Sequence, residues 1–437
     1  MRSRRERLAR VVVALIWVGG LTLALRLGLA AADPAEVLGL LVAVYLGLWG
    51  LVFFLKPGLT TTNAARFVLC SLAICLGILA AELPAAMKIL DYRDIFQTPT
   101  SAWRRHDHRP DPDLIYVRDG HRRNRGRFVG GELHRLQGAK PWSVYSIDTN
   151  LDRNGFRNPR DLQSADLVVV GDSFVEGLHV ADHELMTTYL ADSTHQVIAN
   201  LGRSGDGPQQ ERIILERFGL PLRPKTCVWL FYEGNDLEDV TEYEANRRVI
   251  PMLKTPTAAR VLVERSFLRN ALMFARRRWL SPEVRWPAAR YAGTFPSREH
   301  GSLPLYFASD DHHRANSLGD PSRLARATAS LAEAHELCRR HGVRLVVVFV
   351  PTKWRVYGGL CEFSTDSPCP SWTLDDQPDR IRAAVRGIAP EIGFLDLTTR
   401  FRAEATRGDL LYLPDDTHWT AAGHASAARA IAELLEP

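Results

Sequence analysis

The sequence predicts an α/β domain built on a parallel sheet covered on both faces, preceded by an all-α membrane anchor of three transmembrane helices. Three observations carry this. Short apolar runs of strand length alternate with helix-length segments through the C-terminal part of the chain, three long apolar stretches crowd the first 87 residues, and small polar residues follow the strand ends.

The anchor comes first. Arg2, Arg4, Arg5, Arg7 and Arg10 precede an apolar stretch from about Val11 to Ala31, broken only by Arg26. A second stretch runs from about Val37 to Leu55, and a third from about Phe67 to Ala81, extending towards Met87 and weakened by Glu82 and Pro84. Each approaches the roughly 20 residues that cross a bilayer. One such segment fits a cleaved signal peptide, but three do not. The basic N-terminus and the loop carrying Lys56 and Arg66 favour the cytoplasm, whereas the loop from Asp33 to Glu36 has no positive charge. Three spans then place everything after about Met87 outside the cytoplasm.

Composition agrees with an anchored globular protein. The 437 residues are 46% hydrophobic, with 55 basic against 50 acidic side chains, a net charge of +5 and a pI near 8.9. That balance is too mild to call for nucleic acid, and no nucleic-acid motif is present. Arginine and alanine dominate lysine, the bias of a GC-rich bacterial genome. Cys70 and Cys75 lie in the third apolar stretch, Cys361 and Cys369 flank a loop that a disulfide could close in an oxidising compartment, and Cys227 and Cys338 read as buried apolar residues. No cysteine or histidine spacing resembles a zinc site. His106-Asp107-His108 and Asp310-Asp311-His312-His313 contain ligand-type residues without a coordination spacing, and neither metal nor cofactor is expected.

Beyond the anchor (1–87), residues 88–145 read as a basic connector or small subdomain, with Arg104, Arg105, Arg109, Arg122, Arg123, Arg125 and Arg127 forming a band suited to lipid headgroups or solvent. Strands are expected at 167–170, 197–200, 226–232, 344–350 and 394–397. Helices are expected at 184–193, 209–218, 322–341, 378–386 and 421–435. The stretch from about 237 to 321 breaks the rhythm. It contains a basic amphipathic helix candidate, Ala258 to Leu280, and reads as an insertion or lid near the active face.

Gly171-Asp172-Ser173-Phe174 follows the first strand, where α/β sheets collect ligands and chemistry. Ser173 is a nucleophile candidate; it also opens Ser-Phe-Val-Glu176, which satisfies a helix capping box. Gly205, in the glycine-rich turn after the second strand, offers a backbone N–H, glycine letting the chain approach a site closely. Asn235 in Gly234-Asn235-Asp236 is either a turn residue or an uncharged amide donor to a developing oxyanion. His418 lies just before Thr420, a candidate helix N-cap, with Asp415 and Asp416 three and two residues ahead of it. Either carboxylate could fix the histidine tautomer and support the imidazolium formed as Ser173 loses its proton. Lys353, in Pro351-Thr352-Lys353, reads as a contact to an anionic sugar or as a solvated loop residue.

In order, these blocks resemble those of the SGNH hydrolases, or GDSL esterases: Gly171-Asp172-Ser173, Gly205, Gly234-Asn235-Asp236 and Asp415-x-x-His418, with further likeness at Asn154 to Arg157 and Pro351 to Lys353. Coverage runs from about 146 to 435, and Phe174 stands where the family name has leucine. The resemblance implies a three-layer flavodoxin-like fold over 146–437, a metal-free Ser-His-Asp mechanism, and an oxyanion hole from the Ser173 and Gly205 N–H groups and the Asn235 amide. Asp416-Thr417-His418-Trp419 also resembles the D-x-H-W segment of SGNH-like proteins that O-acetylate exopolysaccharides such as alginate. That spacing favours Asp416, while the broader family's spacing favours Asp415.

The expectation is therefore a membrane-integral serine esterase of the bacterial inner membrane, its catalytic domain periplasmic or extracellular, acting on acyl esters, chiefly acetyl, of an envelope glycan or lipid. An O-acyltransferase fed by a membrane acyl-donor partner would use the same residues. A glycan-binding assembly component that retains the fold as a scaffold is the alternative outside enzymology.

Overall fold

The computed structural model describes residues 45, 47–52, 60–90, 92–96, 108–249, 265–275, 288–308 and 320–436. Two compact units emerge: 1–105 with 254–284, and 106–253 with 285–437.

In the first unit, Thr60–Ala86 forms one helix. Among the described residues it is the one helix, rather than the three expected, long and apolar enough to cross a membrane, over Thr62–Ala86. The stretches 11–31 and 37–55 lie almost wholly outside the described residues. Glu82, which weakened this stretch as a span, has a structural task. Its carboxylate accepts from the Ser266 hydroxyl at 2.7 Å and from the Phe267 and Leu268 N–H groups at 3.0 and 2.8 Å, capping the helix Phe267–Ala275. Tyr92, Phe96, Phe267 and Phe274 gather in edge and tilted ring contacts beside it.

The second unit opens with two antiparallel pairs. His108–Asp111 (β1) pairs with Ile115–Arg118 (β2), and Arg123–Val129 (β3) with Val144–Asn150 (β4). Residues 106–145 of the expected connector are thus part of this unit, while 88–105 fall in the first, and the expected boundary at 145/146 falls inside β4. There follow Leu167–Gly171 (β5), Ile198–Gly202 (β6), Thr226–Tyr232 (β7), Ala292–Ser297 (β8), Gly301–Tyr306 (β9), Arg344–Val350 (β10), Glu362–Phe363 (β11) and Gly393–Asp396 (β12).

Five of these make one parallel sheet in the order β12-β10-β7-β5-β6. Counted by chain order that is the doubly wound arrangement of flavodoxin-like domains, whose direction of winding reverses between β5 and β7. Burial explains the apolar runs. β5 is buried along its length, with Val168 and Val170 in one core and Leu167 and Val169 in the other. Helices Pro208–Ile214, Pro321–Arg340 and Gln377–Ile388 close the first face; Met186–Thr194, Thr398–Thr406 and Ala421–Leu435 close the second.

The segment 237–321 is not one insertion. Asp236–Val249 is a helix leaving β7, Phe267–Ala275 belongs to the first unit, and β8–β9 is a hairpin extended by β11.

Candidate active site

Ser173 stands just past β5 and Asn235 just past β7, on either side of the point where the sheet reverses its winding. The turn is tight because β6 crowds it: a Cβ on Gly202 would lie 2.2 Å from the Glu176 nitrogen. Asp172 caps the short helix Ser173–Glu176 by accepting from the Phe174 N–H at 2.9 Å. Ser173 is therefore its first helical residue and not its cap, and its hydroxyl lies 3.3 Å from Oδ2 of Asp172.

That hydroxyl lies 2.7 Å from Nε2 of His418, whose Nδ1 is 2.5 Å from Oδ1 of Asp416. Of the two candidate acids, Asp416 touches the histidine. Asp415 is turned the other way: its Oδ2 accepts from the Gly131 and Trp142 N–H groups at 2.9 and 2.8 Å, and its Oδ1 from the Tyr145 hydroxyl at 3.1 Å. Its task is to tie the segment between β3 and β4 to the loop that carries His418. Thr420 caps Ala421–Leu435 as its position implied, accepting from the Gly423 N–H.

The second oxygen of Asp416 has two further partners that the sequence did not suggest. The Glu132 N–H donates to it at 2.5 Å, and Nε2 of His179 lies 3.0 Å away. His179 adopts φ +70°, a left-handed conformation unfavourable for a residue with a side chain, and packs on Tyr145. No spacing in the sequence connects it with His418.

Electrostatics follow from this packing. Burial opposes the charged form of Asp416, but His179 and His418 outweigh it and hold the carboxyl well below its usual range. Burial likewise opposes charge on His418, yet Asp416 raises its pKa above the ordinary 6.5. Asp416 thus stabilises an imidazolium next to Ser173.

Lys353 is neither solvated nor a sugar contact. It is fully buried, and its Nζ donates to the main-chain carbonyls of Leu413, Pro414 and Asp416 at 3.0, 3.2 and 2.7 Å. Glu233 reaches the same strand end, accepting from the Thr352 N–H at 2.8 Å and from Nε of Arg355 at 2.6 Å. Phe174 fills the gap below His418, with ring centroids 5.1 Å apart, and meets Trp419 edge-on.

The other two donors of the expected oxyanion hole are placed differently. The Asn235 side chain hydrogen-bonds the buried Asp172 carboxylate next to Ser173. Gly205 has φ +79°, and a Cβ there would meet nothing within 4 Å. Glycine is required by the left-handed turn and not by close approach. The turn is anchored through Ser204, whose N–H and hydroxyl donate to Glu176 at 2.8 and 2.6 Å, while Arg118 forks onto the same carboxylate at 2.7 and 2.8 Å.

His179, Asp416 and His418 are also, among the described residues, a group of ligand-type side chains whose donor atoms lie within 4.8 Å of one another. A cation there would separate Asp416 from His418, the contact that orients the imidazole towards Ser173, so these residues fit proton transfer better than metal binding. The cysteines at 361 and 369 are free thiols, with burial pushing Cys361 up to about 12. His106, Asp107 and residues 310–313 lie outside the described residues.

A search of curated proteins finds no match. Among solved structures, a carbohydrate esterase family 2 enzyme with a carbohydrate binding domain from Corynascus thermopiles (Myceliophthora fergusii) aligns at 11% identity over 67% of this chain and 72% of its own, with a TM-score of 0.30. The acetyl xylan esterase Est2A from the rumen bacterium Butyrivibrio proteoclasticus aligns at 9% identity over 68% and 70%, again with a TM-score of 0.30. Residues 305–437, which carry Lys353, Asp416 and His418, match the family model described as the SGNH hydrolase-like domain of acetyltransferase AlgX, and in this region the chain is similar to that family.

Proposed function

We propose that this protein is a membrane-anchored serine esterase or acyltransferase of the SGNH type, acting outside the cytoplasm on acyl esters of an envelope glycan or lipid, with acetyl the favoured group. The observation that carries the reading is the continuous chain Ser173–His418–Asp416, with contacts of 2.7 and 2.5 Å. The apolar helix Thr62–Ala86 supports anchoring, and the similarity of 305–437 to an acetyltransferase domain supports the acetyl group.

Ser173 Oγ would attack the ester carbonyl as its proton passes to Nε2 of His418, and Asp416 stabilises the imidazolium. The tetrahedral oxyanion would be met by the N–H groups of Ser173 and Gly205 and by the Asn235 amide. Collapse expels the alcohol, which takes the proton from His418 and leaves an acyl-Ser173. His418 then deprotonates the second nucleophile, which regenerates the serine. If that nucleophile is water, the protein is an esterase; if it is a sugar hydroxyl, an acyltransferase. The family match favours keeping transfer as the second reading, with a membrane partner as acyl donor.

The test is turnover of p-nitrophenyl acetate by the purified protein, with and without sugar acceptors, against Ser173→Ala and His418→Ala. Loss in both variants, with an acetyl adduct on Ser173 in the wild type by mass spectrometry, supports the reading. A folded protein with neither turnover nor adduct leaves the scaffold alternative.

A further inference from the structure

A cavity of about 620 Å³ opens near Asp416 and His418. His179 lines it, with Nε2 3.0 Å from Asp416, and so does Thr420, two residues past His418. The volume lies within the range of small-ligand sites. Its entrance carries Trp142, 38% exposed, with its indole edge-on to the His300 imidazole at a centroid distance of 5.1 Å. The backbone of Trp142 is anchored, because its main-chain N–H donates to Asp415 at 2.8 Å. A half-exposed indole beside a wall of mixed polar and apolar residues is a stacking surface for the apolar face of a sugar ring, whose hydroxyls the rim can bond directly or through water.

The charges on the wall narrow the sugar. Both guanidiniums that line the cavity already face carboxylates: Arg298 lies 3.0 Å from Asp409, and Arg429 lies 3.7 Å from Glu404. Of the two other carboxylates on the wall, Glu184 accepts from the Ala181 N–H at 2.8 Å and Glu299 lies 3.8 Å from Nε2 of His300. Neither guanidinium on the wall is thus left for a uronate carboxylate, which would enter without a cationic partner of its own, whereas a neutral hydroxyl needs none and an ammonium would meet carboxylates.

We propose that this cavity is a glycan subsite that takes a neutral or amino-sugar unit and rejects uronates, seating the polymer so that a neighbouring unit presents its ester or hydroxyl to Ser173. The assignment deepens the proposed function and rests on it for the identity of the reacting unit. The binding itself does not depend on turnover.

The experiment uses the full chain in detergent micelles, carrying Ser173→Ala so that nothing is consumed, titrated by calorimetry with neutral gluco-oligosaccharides, glucosamine oligomers and oligouronates. The neutral and amino-sugar oligomers are expected to bind at least about tenfold more tightly than the oligouronates, a difference of about 1.4 kcal/mol. Trp142→Ala should weaken binding by a similar factor. Ala422 lies exposed on the helix that walls the cavity, so Ala422→Trp obstructs the space without disturbing the core and should do the same at an unchanged melting temperature. Binding that survives Ala422→Trp, or oligouronates that bind as well as the neutral oligomers, overturns the proposal. Binding as expected in a protein whose Ser173 form shows no ester turnover leaves the subsite standing and removes the esterase reading instead.

Discussion

Asp416 holds two histidines at once, with Oδ1 2.5 Å from Nδ1 of His418 and the other oxygen 3.0 Å from Nε2 of His179. The carboxylate is fully buried, so its orientation is set by these rings and by the Glu132 N–H rather than by water. Asp416→Asn should lower kcat on a small ester by about 10⁴-fold, the scale expected when a triad acid loses its charge and the histidine its tautomer. His179→Asn should cost about 10- to 100-fold, on the scale of one charge-assisted hydrogen bond. Asp415→Asn should chiefly lower the melting temperature, since that residue ties down Gly131 and Trp142. Kinetics of the three variants decide it: equal losses from Asp415→Asn and Asp416→Asn would sink this division of labour.

The same ion pair sets the pH profile. Only neutral His418 can accept the serine proton, and Asp416 raises its pKa above 6.5 despite the opposing effect of burial. The kcat/KM of p-nitrophenyl acetate hydrolysis should therefore rise with pH along a limb centred above 6.5 and fall away below it. In Asp416→Asn the residual activity should follow a limb shifted to lower pH, because the charge favouring the imidazolium is gone. A limb that stays in place would mean that another group titrates.

Lys353 makes a third prediction that separates support from substrate contact. Its ammonium donates to three carbonyls of the loop bearing Asp416, so Lys353→Met takes a donor from each, although Leu413 and Pro414 keep the main-chain N–H groups of Asp416 and Tyr306. A destabilisation of about 1–3 kcal/mol and a lower kcat are expected, with KM little changed. Lys353→Arg should not restore activity, since a planar fork cannot reproduce three converging bonds from one nitrogen. A rise in KM at constant stability would point back to a sugar contact.

The parallel sheet was legible because its strands are buried on both faces and so appear as continuous runs such as Leu167 to Val170 and Arg344 to Val350. Ser173, Asn235 and His418 were legible because each follows a strand end or precedes a helix cap. The arginines at 123, 125 and 127 recur every second residue, which is strand spacing; read as a charge band, they concealed β3. The choice between Asp415 and Asp416 could not be read locally, since it depends on the Gly131 and Trp142 N–H groups far away in the chain. His179 carries no motif, and its role exists only once the two loops meet. Lys353 misled for a plain reason: lysines are rarely fully buried, and the three carbonyls of its pocket, with the Phe307 ring 5.7 Å from its Nζ, make burial tolerable.

Glu176 yields a prediction about acid stability. Burial would raise its pKa, but the Arg118 fork and the Ser204 donors prevail and bring it from 4.5 down to about 2. A carboxyl held lower in the folded than in the unfolded state stabilises the fold above pH 4.5, and that contribution fades as pH falls from 4.5 towards 2. Its full size is about 3 kcal/mol. Urea unfolding of wild type and Glu176→Gln at a series of pH values should show a gap that is widest at neutral pH and closes across this window. Because Ser204 adjoins Gly205, the same protonation releases the glycine turn that is to hold the oxyanion. Ester turnover after brief acid exposure, returned to neutral pH, should recover fully in wild type. A gap that is constant with pH would show that Glu176 contributes packing alone and that its ion pair with Arg118 adds nothing net.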